Sequence, residues 1–410
     1  MEMIMVKIKN VSEFVQQCNA IPKDGKNLYF RGEKRSYPYT TPNIYRNQQL
    51  IENSSMADYY NRMFNLLGKV NNFDSIQLMT EFVNFQHYEA LTPFLDITTN
   101  PLIALYFACE IDKENPDATG RIQIYKPPIS NEIFITDKRL TIKNSVNFID
   151  RDLLNRFISC FTFLKDNIRR HSSQVVLFNE VLTASEFLNV FQEELSDKSV
   201  TTAIIEGYSE EDFIPLFKFV PKELDGGKKS VFGGKTVEEA KKDIVDFLET
   251  FTDDKHYLNN ILKKHVLPEA DGVFKLEYFQ DYLVRELSKF LSKFFTDLNS
   301  KSRLDTLIES PALVYNTVST VQFVKTPLIN SRIQNQSGAF IYPVIPNSYE
   351  SIVEIVSGSI SEFRIENTIE IDAVDKENIQ QELANLGITP YFIYPDIKRA
   401  SETVLKQLEE

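Results

Sequence analysis

The 410-residue chain predicts an α+β protein whose two ends build one domain around a largely helical insertion, on three observations. Short apolar runs of strand character, bounded by Gly or Pro, occur near both ends. From about Asn144 to Leu304 the pattern changes to long, mostly helical stretches. The residues after that return to alternating strand and helix signals. The corresponding boundaries are 1–140 for the first part, 141–304 for the insertion and 305–410 for the last part.

An opening helix is expected over Val11 to Asn19, then a strand at Asn27 to Phe30 that ends at Arg31-Gly32 and leaves a cation at a strand terminus. Pro38 and Pro42 exclude regular structure from Tyr37 to Arg46, and helical periodicity resumes through Tyr59, Met63, Leu66 and Leu67. Ile76, Met79, Phe82, Val83 and Gln86 recur at spacings of three and four and predict a helix over Ser75 to His87. Phe94 to Thr98 suits a strand. Asn100-Pro101 then signals a helix start, with Asn at the N-cap and Pro at the first helical position. That helix, running to about Ile111, is apolar all round from Leu102 to Ala108, a pattern that requires neighbours on every face; it is read as central. Gly120 introduces a strand over Arg121 to Tyr125, which Pro127-Pro128 ends.

In the insertion, Ser172 to Phe178 and Thr201 to Ile205 are the extended pieces, and Asp225 to Lys235 reads as an exposed linker. Thr236-Val237-Glu238-Glu239 has capping-box spacing and opens a helix toward Phe251. Leu276, Phe279, Leu283, Leu287, Phe290, Leu291, Phe294 and Leu298 trace one apolar stripe, read as core. In the last part, Phe340 to Tyr342 is a strand, and Phe363, Ile365, Ile369 and Ile371 alternate along another centred on Asn367. Asp375 is expected to cap a helix bearing Ile379, Leu383 and Leu386 and ending at Gly387, after which Tyr391 to Tyr394 resumes a strand.

Apolar residues at 42%, charged residues at 25% and aromatics at 12% exclude disordered, collagen-like and coiled-coil classes. A formal net charge of −13 repels a phosphate backbone, so nonspecific nucleic-acid binding is not expected. The three cysteines form no CxxC pair or metal pattern and suit a reducing interior. The acidic start shows no export signal, and no apolar run reaches the length of a membrane span, so a cytoplasmic protein without a membrane partner is expected.

A helix beginning at Pro101 concentrates unpaired N–H groups and partial positive charge at its first turn. If Arg31 approaches it, the guanidinium and the helix end suit a phosphate, with Thr98 and Thr99 hydroxyls and Asn100 as further donors. The alternative is that Arg31 pairs internally with Asp96, Glu33 or Glu81 and that Asn100 merely caps a core helix. Gln334 and Gln336 lie two apart just before a strand, so both amides are expected on one face, lining a cleft or facing water. His87-Tyr88 follows a helix and is a further candidate for the same cleft, or a structural pair. His171, His256 and His265 lack ligand spacing, and no metal is expected. Gly233-Gly234-Lys235-Thr236 fails as a phosphate loop, because the required earlier glycine is Lys229. Arg169-Arg170-His171 and Lys228-Lys229 read as solvated faces, and no GxSxG elbow is present.

Tyr29-Phe30-Arg31-Gly32-Glu33, Tyr37-Pro38, Pro42-Asn43-Ile44-Tyr45-Arg46, Gln86-His87-Tyr88 and Leu95-Asp96-Ile97-Thr98-Thr99-Asn100-Pro101 through Ala108 together resemble the FRG domain, a family named after its Phe-Arg-Gly motif. Arg332 to Phe340, the Lys376 to Ile388 helix and Phe392 to Asp396 are also similar to it, so the resemblance covers roughly residues 25 to 130 and 305 to 400. The family usually has Gly-Leu-Pro-Thr-Arg before its Leu-Leu-Asp stretch, where this chain has Ala90-Leu91-Thr92-Pro93-Phe94 and lacks the second arginine.

Asp96 to Ala108 is also similar to the Ser-Thr-Ser strand and following helix of ADP-ribosyltransferases. That resemblance implies a split mixed sheet with NAD as substrate. Arg31 would grip phosphate or ribose and Thr98 the nicotinamide ribose, while Gln336 stands in the order of the family's last Glu. An amide there supplies no negative charge to a cationic transition state. The catalytic candidates are therefore Arg31, Thr98 and Gln336, and the nucleotide-binding candidates Arg31, His87, Tyr88, Thr99, Asn100 and Gln334. NAD or ADP-ribose binding, with or without transferase chemistry, is the leading expectation. A non-catalytic module that binds a protein or signal through the helical insertion is the alternative, and a hydrolase of another nucleotide the third.

Overall fold

The computed structural model describes residues 4–47, 49–50, 56–69, 75–158, 290–302, 304, 307–308, 311–325, 331–346 and 351–409. The extended pieces, linker, capping box, basic clusters and scattered histidines expected between 169 and 265, and the stripe residues Leu276 to Leu287, lie outside these. Contacts divide the chain into two compact units. One comprises Met1–Ser54, Ser75–Thr141 and Ser319–Glu410, and the other Ser55–Asp74 and Ile142–Val318. The second unit thus takes Ser55–Asp74, which the boundaries read from the sequence leave in the first part.

The elements run in order β1 (Ile4–Lys7), α1 (Val11–Asn19), β2 (Tyr29–Glu33), a 3₁₀ turn (Asn43–Arg46), α2 (Met56–Leu66), α3 (Ser75–His87), β3 (Leu95–Thr98) and α4 (Pro101–Cys109). They continue with β4 (Gly120–Tyr125), β5 (Glu132–Phe134), α5 (Lys138–Val146), α6 (Pro311–Val318), β6 (Gln322–Lys325), α7 (Ser331–Asn335) and β7 (Gly338–Tyr342). The last are α8 (Ile352–Ser361), β8 (Asn367–Ile371), α9 (Ala373–Asn385), α10 (Pro390–Ile393) and α11 (Ile397–Glu409). This is an α+β fold, and no described helix is long and apolar enough to cross a membrane. In the second unit Tyr60 and Phe64 pack on Phe148, Phe157 stacks on Phe294 at 4.0 Å, and the stripe residues Phe290, Leu291, Phe294 and Leu298 are buried.

The described strands form one mixed sheet in the order β1-β8-β4-β2-β3-β7-β6-β5, parallel at its two outer pairs and antiparallel between. β2 pairs with β4 along its whole length, and β3 with β7 likewise. Between β2 and β3 the ladder holds a single pair, Phe30 opposite Thr98. The sheet therefore opens in its middle.

α4 covers one face of this sheet and is buried nearly all round, as its unbroken apolar sequence requires. Asn100 caps it as expected, its Oδ1 accepting from the Leu102 N–H at 3.0 Å. The contact with β2 is backbone to backbone. A Cβ on Gly32 would lie 1.8 Å from the Ala104 carbonyl oxygen, and one on Gly120 would lie 2.1 Å from that of Ala108. Gly32 thus stays within the ladder, and Arg31 sits in mid-strand opposite Gln123 instead of at a strand end.

The last part departs from its expected pattern in three places. Tyr391 to Tyr394 contains a helical turn, because Thr389 caps it, accepting from the Phe392 N–H at 3.2 Å, and Pro390 occupies its first position. No strand follows α9, so the expected strand-helix-strand unit is absent. β8 begins only at Asn367, and Arg364 contributes an isolated bridge to Tyr125. The residue preceding α9 is Asp372, not Asp375, and its carboxylate is taken by Lys7 at 2.8 Å. Ile379 and Leu383 are buried, whereas Leu386 is exposed.

Gly32→Ala drives a methyl group into the α4 backbone. A loss of roughly 3 kcal/mol, the upper range for overpacking, is expected in urea unfolding at unchanged slope. An unaltered midpoint would show that α4 does not rest on β2 in this way.

Candidate functional site

Alternation along β2 assigns each residue of the Phe-Arg-Gly run a side of the sheet. Phe30 and Gly32 face α4, Phe30 joining the core there, while Arg31 and Glu33 share the opposite face. On that face the Arg31 Nε donates to Glu33 Oε1 at 3.1 Å, and its Nη1 donates to the Asp96 carbonyl oxygen at 2.8 Å. Glu33, 4% exposed, accepts on its other oxygen from Arg121 Nη2 at 2.7 Å and Gln123 Nε2 at 3.3 Å. Gln123 in turn accepts from the Tyr125 hydroxyl and donates to Thr40 Oγ1 at 3.0 Å. One carboxylate thus holds two guanidinium groups. Of the internal partners weighed for Arg31, Glu33 is the ion-pair partner, and Asp96 is reached through its backbone.

A cleft of about 280 Å³ opens where β2 and β3 part. Arg31, Gln86, Asp96, Arg332, Gln336 and Tyr394 supply its polar lining, with Phe107 on the α4 side. Arg332 lies over the Tyr394 ring at 4.9 Å, and Arg399 lies 5.7 Å from the same ring. The Tyr394 hydroxyl donates to Glu110 Oε1 at 3.0 Å, which, with burial first, pushes the phenol far above its usual range. Asp96 is exposed at the cleft, yet desolvation by the surrounding protein raises its pKa, against the opposing charges of Arg31 and Arg332. Burial works against the Arg31 charge, but Glu33, Tyr125 and Asp96 outweigh it and hold the pKa above the usual value. Arg46, at the end of the 3₁₀ turn, is shifted the other way, by burial and by the charge of Arg31. Cys18 and Cys109 lie away from the cleft lining, and burial pushes both thiols up to about 12, which leaves them poor nucleophiles.

Arg31, Thr98 and Gln336, drawn from β2, β3 and the segment after α7, are all brought to this cleft. Their polar atoms are largely engaged by backbone. Thr98 Oγ1 donates to the Gln336 carbonyl oxygen at 2.7 Å and accepts from the Asn100 N–H at 2.9 Å. Gln336 Nε2 donates to the Ile393 carbonyl oxygen at 3.1 Å, beside Asn335, which donates to that of Phe392 at 2.7 Å. Thr99 lies against Ser337 and Asn100 is occupied as the α4 cap, so neither lines the cleft and the α4 N-terminus does not open into it. Gln334 is exposed and does not share a face with Gln336, because Ser331–Asn335 is helical and two residues turn the side chain by about 200°. Tyr88 is 80% exposed, and the side chain of His87 lies outside the described residues.

Gln86, Asp96, Arg332 and Tyr394 also line the cleft and are not among the site residues expected from the sequence, where Asp96 enters only as a partner for Arg31. Arg332 and Gln336 are four apart, a spacing that puts both on one face once the segment is read as helical. Phe94, standing where the FRG pattern usually has its second arginine, is buried among Phe82, Phe340 and Tyr342; the second guanidinium of this cleft comes from Arg332.

Residues 26–117 match the family model of the FRG domain, so the chain carries an FRG domain that runs from the start of β2 past α4. No curated protein and no solved structure matches the chain.

Glu33→Gln removes the charge between two largely buried guanidinium groups. A loss of about 3 kcal/mol in unfolding free energy is expected, as for other buried pairs broken on one side. Stability equal to the parent protein would show that Glu33 is not their counter-charge.

Proposed function

We propose that the cleft binds an anionic nucleotide of the NAD or ADP-ribose class, with phosphate on Arg31 and Arg332 and an aromatic ring beside Tyr394 and Phe107. The observation that carries this reading is the pair of guanidinium groups from separate elements lining one open cleft next to an aromatic wall. Arg31 is held by Glu33 through Nε and by the Asp96 carbonyl through Nη1, with Nη2 left for a phosphate oxygen, and Arg332 lies over the Tyr394 ring. The volume lies just below the range of roughly 300–1,000 Å³ typical of ligand pockets, so it suits one sugar phosphate with the rest of the ligand leaving through the mouth. Gln336 brings no charge, and its amide nitrogen is already engaged, so the reading is one of binding.

Thermal unfolding of the full chain with NAD, ADP-ribose or ADP tests it. A native-state ligand at a hundred times its dissociation constant adds about 2.7 kcal/mol, and a rise of that order is expected for at least one nucleotide. Arg332→Ala is expected to remove the rise, read against the variant's own unliganded midpoint. Arg31→Ala removes it as well, but also frees the Asp96 carbonyl and lowers stability by itself. Equal midpoints with and without all three nucleotides would reject the reading.

A further inference from the structure

We infer that Asp96 recognises the ribose of the bound nucleotide, its carboxylate accepting from a vicinal diol while the adjoining phosphate lies on Arg31 and Arg332. The inference rests on the nucleotide reading above and specifies the ligand further.

Asp96 is the one carboxylate among the described residues that line the cleft, and its side chain is exposed there although its backbone is paired with Phe340 in β7. Arg31 sends its Nε to Glu33 and its Nη1 to the Asp96 backbone carbonyl, so these two bonds do not take up the Asp96 carboxylate, and Nη2 is left for the phosphate. Gln86 lines the cleft with Asp96, and its Oε1 is buried without a hydrogen-bond partner. An exposed carboxylate, an acceptor, therefore lines the cleft together with two guanidinium groups suited to an anion. A ligand O–H that donates to it makes a charge-assisted hydrogen bond. Bare phosphate or pyrophosphate cannot do so and is repelled by the Asp96 charge. A ribosyl phosphate satisfies both halves: oxygens for the guanidinium groups and two adjacent O–H donors for the carboxylate. Thr98 and the Gln336 amide nitrogen, the other polar groups at hand, already donate to backbone carbonyls.

The experiment compares ADP, 2′,3′-dideoxy-ADP and pyrophosphate by calorimetric titration of the full chain and of Asp96→Asn. The parent protein is expected to prefer ADP to the dideoxy compound by about tenfold or more, the worth of hydrogen bonds to a charged acceptor. Asp96→Asn, nearly the same in volume, is expected to lose that preference, to bind pyrophosphate at least as well as the parent, and to unfold at no lower temperature. ADP binding with equal affinity for the dideoxy compound, or a preference that survives in Asp96→Asn, overturns the assignment of Asp96 and leaves the nucleotide reading in place. Failure of ADP, ADP-ribose and pyrophosphate alike to bind overturns both.

Discussion

The sheet is joined across its middle by one ladder pair, Phe30 with Thr98, and the site follows from where that pairing stops. Past it, β2 keeps β4 and β3 keeps β7, so each strand is paired on its outer side and has facing backbone groups to satisfy on the inner side. Arg31 meets part of that demand by donating to the Asp96 carbonyl oxygen across the opening. It is a bridge between two strands and a wall of the cleft between them. Only a rigid multi-donor fork can hold Glu33 with one nitrogen and a carbonyl with another, which is why lysine is no substitute there.

Charge balance behind the cleft is set by the same geometry. Desolvating two guanidinium groups is costly unless a carboxylate lies between them, and Glu33 is placed there by the alternation that puts it on the Arg31 side of β2. Its register partner is Arg121, so the pairing is written into the β2/β4 ladder. Asp96 differs: it is exposed at the cleft, and none of the ion pairs that hold Glu33 involves it, although the charges of Arg31 and Arg332 act on it.

Much of the first part was legible in the sequence because its signals are local. The helices at Val11–Asn19 and Ser75–His87 and the Asn100 cap come from periodicity and capping chemistry, and the structure has them at those residues. Tyr391 to Tyr394 reads as a strand from its short run of aromatic and apolar residues, but the Thr389 cap and Pro390 at the first position make a helical turn of it. Gln334 and Gln336 share a face only if the backbone is extended, and helical backbone turns them about half a turn apart. Arg31, Thr98 and Gln336 were brought together as expected, but the atoms still facing the cleft depend on which partners the backbone takes first, and no spacing reveals that. Arg332 and Tyr394 reach the site only through pairing across the sheet and a stacked ring, both tertiary facts.

The segment that matches the FRG domain ends at residue 117, and that boundary does not coincide with a unit able to stand alone. It contains β2, β3 and α4 but neither of the outer partners of those strands: β4 begins at Gly120, and β7 belongs to the last part of the chain. With those removed, both central strands become edges, joined to each other by a single pair. The covering of α4 is divided in the same way, since Ile369, Ile371, Ile379, Leu383 and Ile393 from the last part complete the core around it. The cleft is shared as well, one wall carrying Arg31, Gln86 and Asp96, the other Arg332, Gln336 and Tyr394. A ligand held by both walls therefore links the two ends of the chain, and its binding energy adds to the hold between the two halves of the sheet where the backbone ladder is thinnest.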